Sequence, residues 1–153
     1  MTATMLILPG ITDAGGMHNP HGLLDRDSAR EYARRKGYVG RVLEVSDSHA
    51  GADTKQVKAA LQTIQDDDEI VALYGFSGGG YNARYILNAL GASEQARIRL
   101  VVILGAPNNP ASAYDGPWDL IYRKDPPSPN GHMDGPKVLL AELGPQTGPV
   151  VPA

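Results

Sequence analysis

Short apolar runs that alternate with helix-patterned segments are the feature of this 153-residue chain that most constrains its fold. The runs MLIL at 5–8, EIVALYG at 69–75 and RLVVILGAP at 99–107 are apolar nearly throughout, as is typical of strands covered on both faces of a sheet. YVGRVLEV at 38–45 and WDLIYRKD at 118–125 predict two further strands. Because helical segments separate the strands, we expect an α/β, three-layer sandwich around a mostly parallel five-stranded sheet.

Helical periodicity and capping residues mark the segments between the strands. Asp25 or Asp27 is the expected N-cap of the first helix, and Gly37 is its expected stop. The second helix carries apolar residues spaced by three, one and three, which places them on one face. The predicted helices span residues 25–37, 54–67, 79–91 and 136–143. We expect a single domain over residues 1–143 and a flexible C-terminal tail over residues 144–153.

Composition excludes several classes of site. The chain has no cysteine, which rules out disulfides, thiol catalysis and thiolate metal sites. Its formal net charge of −3 provides no general attraction to nucleic acid or to anionic membranes. The first residues lack a basic segment, and their apolar run extends only from Met5 to Leu8, so neither a signal peptide nor a membrane span is expected. A cytoplasmic protein is therefore the expectation.

Ser77 lies in a glycine-rich stretch, GFSGGG, between a predicted buried strand and a predicted helix. Residues 75–79 fit the pattern G-x-S-x-G, in which a tight strand-to-helix turn raises the serine hydroxyl above the sheet. The following helix N-terminus presents unpaired N–H groups that favour a developing oxyanion. The pattern therefore predicts a nucleophilic serine. The alternatives are a structural turn and a phosphate-binding loop, although no acidic residue ends the next strand, where a ribose partner is expected.

A serine nucleophile needs a base and an orienting acid, in the chain order serine, acid, histidine for this architecture. His132 is the one histidine that follows Ser77, and we expect it in a polar loop before the last helix. The acid candidates between them are Asp115, Asp119 and Asp125. Asp125 is favoured because it directly follows the fifth predicted strand, and the seven-residue separation from His132 spans at most roughly 23–25 Å, so contact is sterically allowed.

Two backbone N–H groups are expected to form an oxyanion hole. Gly78 follows the nucleophile, and the second donor is expected from the loop after the first strand, with Ile11 as the candidate and Thr12 as its neighbour. His18 and His21 lie further along the same loop, but no third strong ligand accompanies them, so no metal site is expected.

In these motifs the chain resembles the α/β-hydrolase family, most closely the minimal, lid-less bacterial lipases and carboxylesterases. The resemblance rests on LPGIT, YGFSGGGYNARYIL, VVILGAP and the final YRKD…GHMDGP, and covers most of residues 4–143. It implies ester or thioester hydrolysis through an acyl-enzyme. The residues that match are Ser77 as nucleophile, His132 as base, Asp125 as acid, and the Ile11 and Gly78 N–H groups as oxyanion donors. The chain lacks the family's last strand between acid and histidine, and it has no insertion long enough for a cap.

The residues thus predict a serine hydrolase acting on a small or medium carboxylic ester, with no cofactor and a small-molecule substrate as its partner. A catalytically inactive hydrolase-like binding or assembly protein is the alternative, and a phosphate- or nucleotide-binding domain is a third. An exposed edge strand, the second or the fifth, could pair with a second copy, so a homodimer is a further expectation.

Overall fold

The computed structural model describes residues 2–10, 24–45, 47 and 49–145. Strands and helices alternate along most of this part of the chain, as the apolar runs predicted. In chain order the elements are β1 (Thr4–Leu8), α1 (Arg26–Arg35), β2 (Val39–Val42), α2 (Lys55–Asp66), β3 (Ile70–Phe76), α3 (Gly78–Ala89), α4 (Ala92–Arg97), β4 (Leu100–Leu104), a short 3₁₀ helix (Ala111–Tyr114), β5 (Asp119–Arg123) and α5 (Gly131–Glu142).

The five described strands form one parallel sheet in the order β2-β1-β3-β4-β5. The three central strands are buried along their whole length, whereas β2 and β5 are the partly exposed edges. In register, Leu6 pairs with Leu73, and Gly75 pairs with Ile103. The predicted α/β class and five-stranded parallel sheet are therefore confirmed. Since all strands run the same way, their carboxyl ends share one edge of the sheet, where ligands bind in such folds.

Helices cover both faces of the sheet, because successive strand residues point to opposite sides. On one face α2 and α3 pack on alternate strand residues that include Leu73 and Ile103. On the other face α1 and α5 pack on residues that include Tyr74 and Val102. The three layers expected from the sequence are therefore present. Trp118 packs in the first of these cores, and its indole N–H donates to the Tyr114 carbonyl oxygen at 2.8 Å.

The helix starts follow the sequence closely where a capping side chain is present. The Asp25 carboxylate accepts a hydrogen bond from the Ser28 N–H at the start of α1, and the Thr54 hydroxyl accepts one from the Val57 N–H at the start of α2. Gly37 follows the end of α1 with φ of +94°, a conformation that favours glycine, as expected for a helix stop.

The last helix is where the prediction is wrong. Helix α5 begins at Gly131 rather than at residue 136, so His132 lies in its first turn and not in a loop before it. The predicted helix began at Pro136, a residue type that is favoured at the first position of a helix. In the structure Pro136 lies inside the helix, and its missing N–H means that the carbonyl of His132, one turn earlier, has no i+4 donor.

Strand lengths and one short helix also differ from the expectation. The second strand spans Val39–Val42 instead of 38–45, since only β1 is available to pair with this edge strand. The third strand runs one residue further than predicted, to Phe76, and the fourth and fifth are shorter than predicted at both ends. Helix α4 was not predicted. Of the expected tail, only residues 144 and 145 are among the described residues. No helix in the described ranges is long and apolar enough to cross a membrane.

Candidate active site

Ser77 occupies the turn between β3, the central strand, and α3. Its backbone has φ of 55° and ψ of −119°, and among the described residues it is the one non-glycine residue with a positive φ. Such a conformation costs about 1–3 kcal/mol and persists where the surroundings hold it. Here the Ser77 N–H donates to the Leu104 carbonyl oxygen at the end of β4, at 2.8 Å. The sharp turn predicted from G-x-S-x-G is therefore present.

The glycines on either side of Ser77 are required by close backbone contacts. A Cβ on Gly75 would lie 2.7 Å from the Gly79 carbonyl oxygen, and one on Gly79 would overlap the carbonyl oxygens of Leu8 and Pro9. These distances are shorter than real Cβ atoms tolerate. The helix can therefore start against the ends of β1 and β3 only because both positions lack a side chain.

The His132 ring lies against the Ser77 hydroxyl. Its Nε2 atom is 2.8 Å from Ser77 Oγ, although 55 residues separate them in the chain. The Phe76 ring stacks on the imidazole, with ring centroids 4.9 Å apart and an interplanar angle of 30°. The first turn of α5 and the last residue of β3 thus hold the imidazole at hydrogen-bonding distance from the serine.

Asp125 contacts the other nitrogen of the same imidazole. Its Oδ1 atom is 2.9 Å from His132 Nδ1. Of the three acid candidates, Asp119 is the first residue of β5, at the amino end of the sheet, and Asp115 follows the 3₁₀ helix on an exposed loop. The structure therefore brings together Ser77, His132 and Asp125 in one hydrogen-bonded chain. The side chains of His132 and Asp125 are 38% and 39% exposed, so this chain faces solvent.

The segment from Asp125 to His132 is folded into a compact turn. The Ser128 N–H donates to the Pro126 carbonyl oxygen at 2.9 Å, and the Gly131 N–H donates to the Ser128 carbonyl oxygen at 3.0 Å. The Ser128 hydroxyl donates to Asp134 Oδ2 at 2.9 Å, which joins this turn to the first turn of α5. Seven residues therefore suffice to bring an acid at the end of β5 to a histidine in the next helix, with no strand between them.

Gly105 is a site residue that the sequence reasoning missed. It follows β4 with φ of +65°, and a Cβ there would lie 2.9 Å from both Asp125 Oδ1 and His132 Cε1. The backbone of β4 therefore passes directly beside the acid–histidine contact. The available signal was a glycine immediately after a buried strand, in ILGAP, at the edge of the sheet where the other site residues lie.

Gly78 is the first residue of α3, and no side chain caps this helix. Its N–H belongs to the first turn, whose donors have no partner within the helix and point toward the carboxyl edge of the sheet. The second expected donor, Ile11, and its neighbour Thr12 lie outside the described residues, as do His18 and His21. Gly10, two residues after the end of β1, is described and buried.

A group of tyrosines fixes the loop after β4. The Tyr114 hydroxyl donates to the Gly80 carbonyl oxygen at 2.9 Å, and the Tyr122 hydroxyl donates to the Asn109 carbonyl oxygen at 2.5 Å. Burial raises the pKa of Tyr114 to about 12, so its phenol remains a protonated donor at neutral pH. The two phenols therefore act as hydrogen-bond donors to backbone carbonyls, one in α3 and one in the loop after β4.

The described part of the chain shows no metal centre, and it has a cavity next to the acid of the hydrogen-bonded chain. No group of three or more histidine, aspartate or glutamate side chains there could hold a metal ion. A cavity of about 300 Å³ lies between the end of β5 and α5, with Asp125, Pro126 and Val138 among its lining residues. Since neither Ser77 nor His132 lines it, this cavity lies beside the hydrogen-bonded chain.

Comparison with known proteins identifies no family. No protein-family model matches this sequence, and no curated protein matches it. Among solved structures, a Trichoderma reesei cutinase in complex with a C11Y4 phosphonate inhibitor is similar to this chain with 18% sequence identity and a TM-score of 0.48. The match covers 91% of this chain and 70% of the cutinase. Any functional conclusion must therefore come from the geometry of the site.

Proposed function

We propose that this chain is a serine hydrolase that cleaves a small or medium carboxylic ester, or thioester, through an acyl-enzyme. The observation that carries the proposal is the continuous contact from Asp125 through His132 to Ser77, at 2.9 Å and 2.8 Å. A serine hydroxyl is a weak nucleophile unless a positioned base accepts its proton, and that base needs a group that orients it. All three groups are present here, at the carboxyl edge of a parallel sheet.

The geometry supports the following first half-reaction. His132 Nε2 accepts the proton of Ser77 Oγ as this oxygen bonds to the ester carbonyl carbon. Asp125 holds the tautomer in which Nδ1 carries a proton, and it stabilises the imidazolium that forms. The Gly78 N–H donates to the developing oxyanion together with a donor from the loop after β1, for which Ile11 remains the candidate. The imidazolium then protonates the leaving alcohol, and the carbon–oxygen bond to it breaks.

In the second half-reaction water takes the place of the alcohol. His132 removes a proton from a water molecule, which attacks the acyl carbon, and the imidazolium returns that proton to Ser77 Oγ as the carboxylic acid leaves. The strained backbone at Ser77 supports this role, because such strain persists mainly where function requires a fixed side-chain direction. A connecting turn without catalytic function would not need a φ of 55° at a serine.

Replacing the nucleophile tests the proposal directly. We expect Ser77→Ala to lower kcat for a p-nitrophenyl ester by about 10³-fold or more, with unchanged circular dichroism and thermal midpoint. Ser112→Ala is the matched control, because Ser112 is an exposed serine in the 3₁₀ helix and should leave kcat unchanged. A fluorophosphonate should label the parent protein at Ser77. Undiminished turnover by Ser77→Ala would refute the assignment, and folded parent protein that is neither active nor labelled would favour a non-catalytic binding role.

A further inference from the structure

Two buried side-chain amides form a network between α2, α3 and the ends of β1 and β2. Gln56 is 1% exposed and Asn82 is 2% exposed. Asn82 Nδ2 donates to Gln56 Oε1 at 2.8 Å, and Asn82 Oδ1 accepts from the Gly51 N–H at 2.9 Å. Gln56 Nε2 donates to the carbonyl oxygens of Pro9 at 3.0 Å and Val45 at 2.9 Å. Both oxygen and nitrogen of the Gln56 amide are therefore engaged inside the protein.

The Pro9 carbonyl contacts both α2 and α3. Gln56 Nε2 donates to its oxygen, and the backbone of Gly79 lies so close that a Cβ there would overlap the same oxygen. Movement of the Pro9 carbonyl away from Gln56 would lengthen this hydrogen bond, and movement toward Gly79 is opposed by the close backbone contact there. These contacts fix the position of the end of β1 relative to Gly79. Ser77 lies two residues before Gly79, so the end of β1 is also positioned relative to the turn that carries the serine.

We propose that Gln56 is a positioning residue for the ester hydrolysis proposed above, on which this inference rests. Gln56 acts through two contacts. It donates to the Pro9 carbonyl, which lies against Gly79, and it accepts from Asn82 in α3, the helix whose first residue, Gly78, is the candidate oxyanion donor. Oxyanion donors stabilise the transition state only when they lie within hydrogen-bond distance of the oxygen that develops charge. A displacement of about 1 Å can cost a factor of about 10² in rate. Gln56 therefore affects kcat rather than substrate binding.

Two substitutions test this role. Gln56→Glu preserves size and an acceptor for Asn82, but it replaces the donor that faces Pro9 and Val45 with a second acceptor. Gln56→Met keeps an unbranched side chain of similar length but has no hydrogen-bonding amide and no charge. It therefore tests the positioning role even if the glutamate variant does not fold. We expect kcat for a p-nitrophenyl ester to fall by about 10- to 100-fold in the folded variants, with KM changing by less than about 2-fold. The rate of fluorophosphonate labelling should fall in parallel.

A matched control is available on α4, in a side chain that contacts the far end of α3. Gln95 Nε2 donates to the Leu87 carbonyl oxygen at 2.8 Å, near the opposite end of α3 from Ser77. Gln95→Met removes the same type of amide-to-carbonyl bond, and we expect its kcat to stay within about 2-fold of the parent value when both are assayed well below their thermal midpoints. The positioning role would be overturned if folded Gln56→Met had the parent kcat. It would also be overturned if Gln95→Met lowered kcat as much as Gln56→Met does.

The two proposals fail in different ways. If Ser77→Ala retains turnover, the serine hydrolase assignment fails, whatever Gln56 does. If Ser77→Ala is inactive while folded Gln56→Met hydrolyses the ester at the parent rate, the hydrolase assignment stands and Gln56 is only a structural residue. If Gln56→Met raises KM and leaves kcat unchanged, Gln56 affects the substrate pocket instead, and the positioning role through Pro9 is wrong.

Discussion

At the scale of single residues, the candidate site depends on missing side chains as much as on present ones. Ser77, His132 and Asp125 form the hydrogen-bonded chain, but the contact between the last two is possible only because Gly105 has no Cβ beside it. A methyl group there would press on the carboxylate and the ring together. Gly105 also has a positive φ, so any side chain would strain the backbone as well as the contact.

We therefore predict that Gly105→Ala lowers kcat for ester hydrolysis by about 10- to 100-fold, because it displaces the acid or the imidazole. Gly37→Ala is the matched control: Gly37 also has a positive φ, but no atom lies within 4 Å of a Cβ built there. Both variants should lose about 1–2 kcal/mol of stability from backbone strain. Only Gly105→Ala should lose activity. Steady-state kinetics and urea unfolding of both variants measure the two effects, and equal activity in the two would contradict the prediction.

At the scale of elements, a short loop joins Asp125 at the end of β5 directly to His132 in α5, with no strand between them. Residues 125–132 turn back on themselves through two backbone hydrogen bonds, and the Ser128 hydroxyl ties the turn to Asp134 in α5. Because Pro126, Pro127 and Pro129 restrict the backbone, the loop loses less conformational entropy on folding than a flexible segment of equal length. The loop therefore holds acid and base together without a further strand.

We predict that Ser128→Ala loosens this loop without unfolding the protein. A hydrogen bond to a carboxylate contributes about 1.5–3 kcal/mol, and its loss should increase amide hydrogen exchange at residues 125–134 while β3 and β4 stay protected. Hydrogen-exchange mass spectrometry measures this change. Ser112→Ala, which removes an exposed hydroxyl, is the control and should leave exchange in this loop unchanged. Unaltered exchange in Ser128→Ala would show that the prolines hold the loop without the hydroxyl.

At the scale of the whole molecule, the layer between the sheet and α1 buries two phenols. Tyr32 and Tyr74 are almost fully buried, and their rings pack edge to face with centroids 6.1 Å apart. Burial raises the pKa of Tyr32 from an ordinary value of 10.0 to about 12, and it raises that of Tyr74 further. Above pH 10 the unfolded chain loses these protons while the folded chain keeps them. Stability is therefore fully present below pH 10 and is lost as pH rises through the folded pKa values.

We predict that the free energy of unfolding falls between pH 10 and pH 12, and that it falls less steeply in Tyr32→Phe. Each buried tyrosine that stays protonated contributes a slope of up to about 1.4 kcal/mol per pH unit in this window. Urea unfolding at a series of alkaline pH values measures the slope. Tyr85→Phe is the control, because Tyr85 is exposed and its removal should not change the slope. Equal slopes in Tyr32→Phe and the parent protein would contradict the prediction.

The sheet and the turn at Ser77 were predictable because their causes are local. Runs of apolar residues such as those of β3 and β4 are typical of strands buried on both faces of a sheet. The glycines at 75 and 79 predict a turn too tight for side chains. His132 was predictable by elimination, since it is the one histidine after Ser77. The start of α5 was not predicted: the helix begins at Gly131 and continues through Pro136, a residue type more typical of a first helical position.

By itself the sequence determined the α/β class, the serine at the strand-to-helix turn and a short choice of partners for it. Only the tertiary structure decided that Asp125, rather than Asp115 or Asp119, meets His132. It alone showed that Gly105 and the Gln56 amide lie beside or beneath the site. The physical reason is that strands, helices and turns follow from neighbouring residues. A hydrogen bond across 55 residues depends instead on how separate elements pack, which no local pattern records.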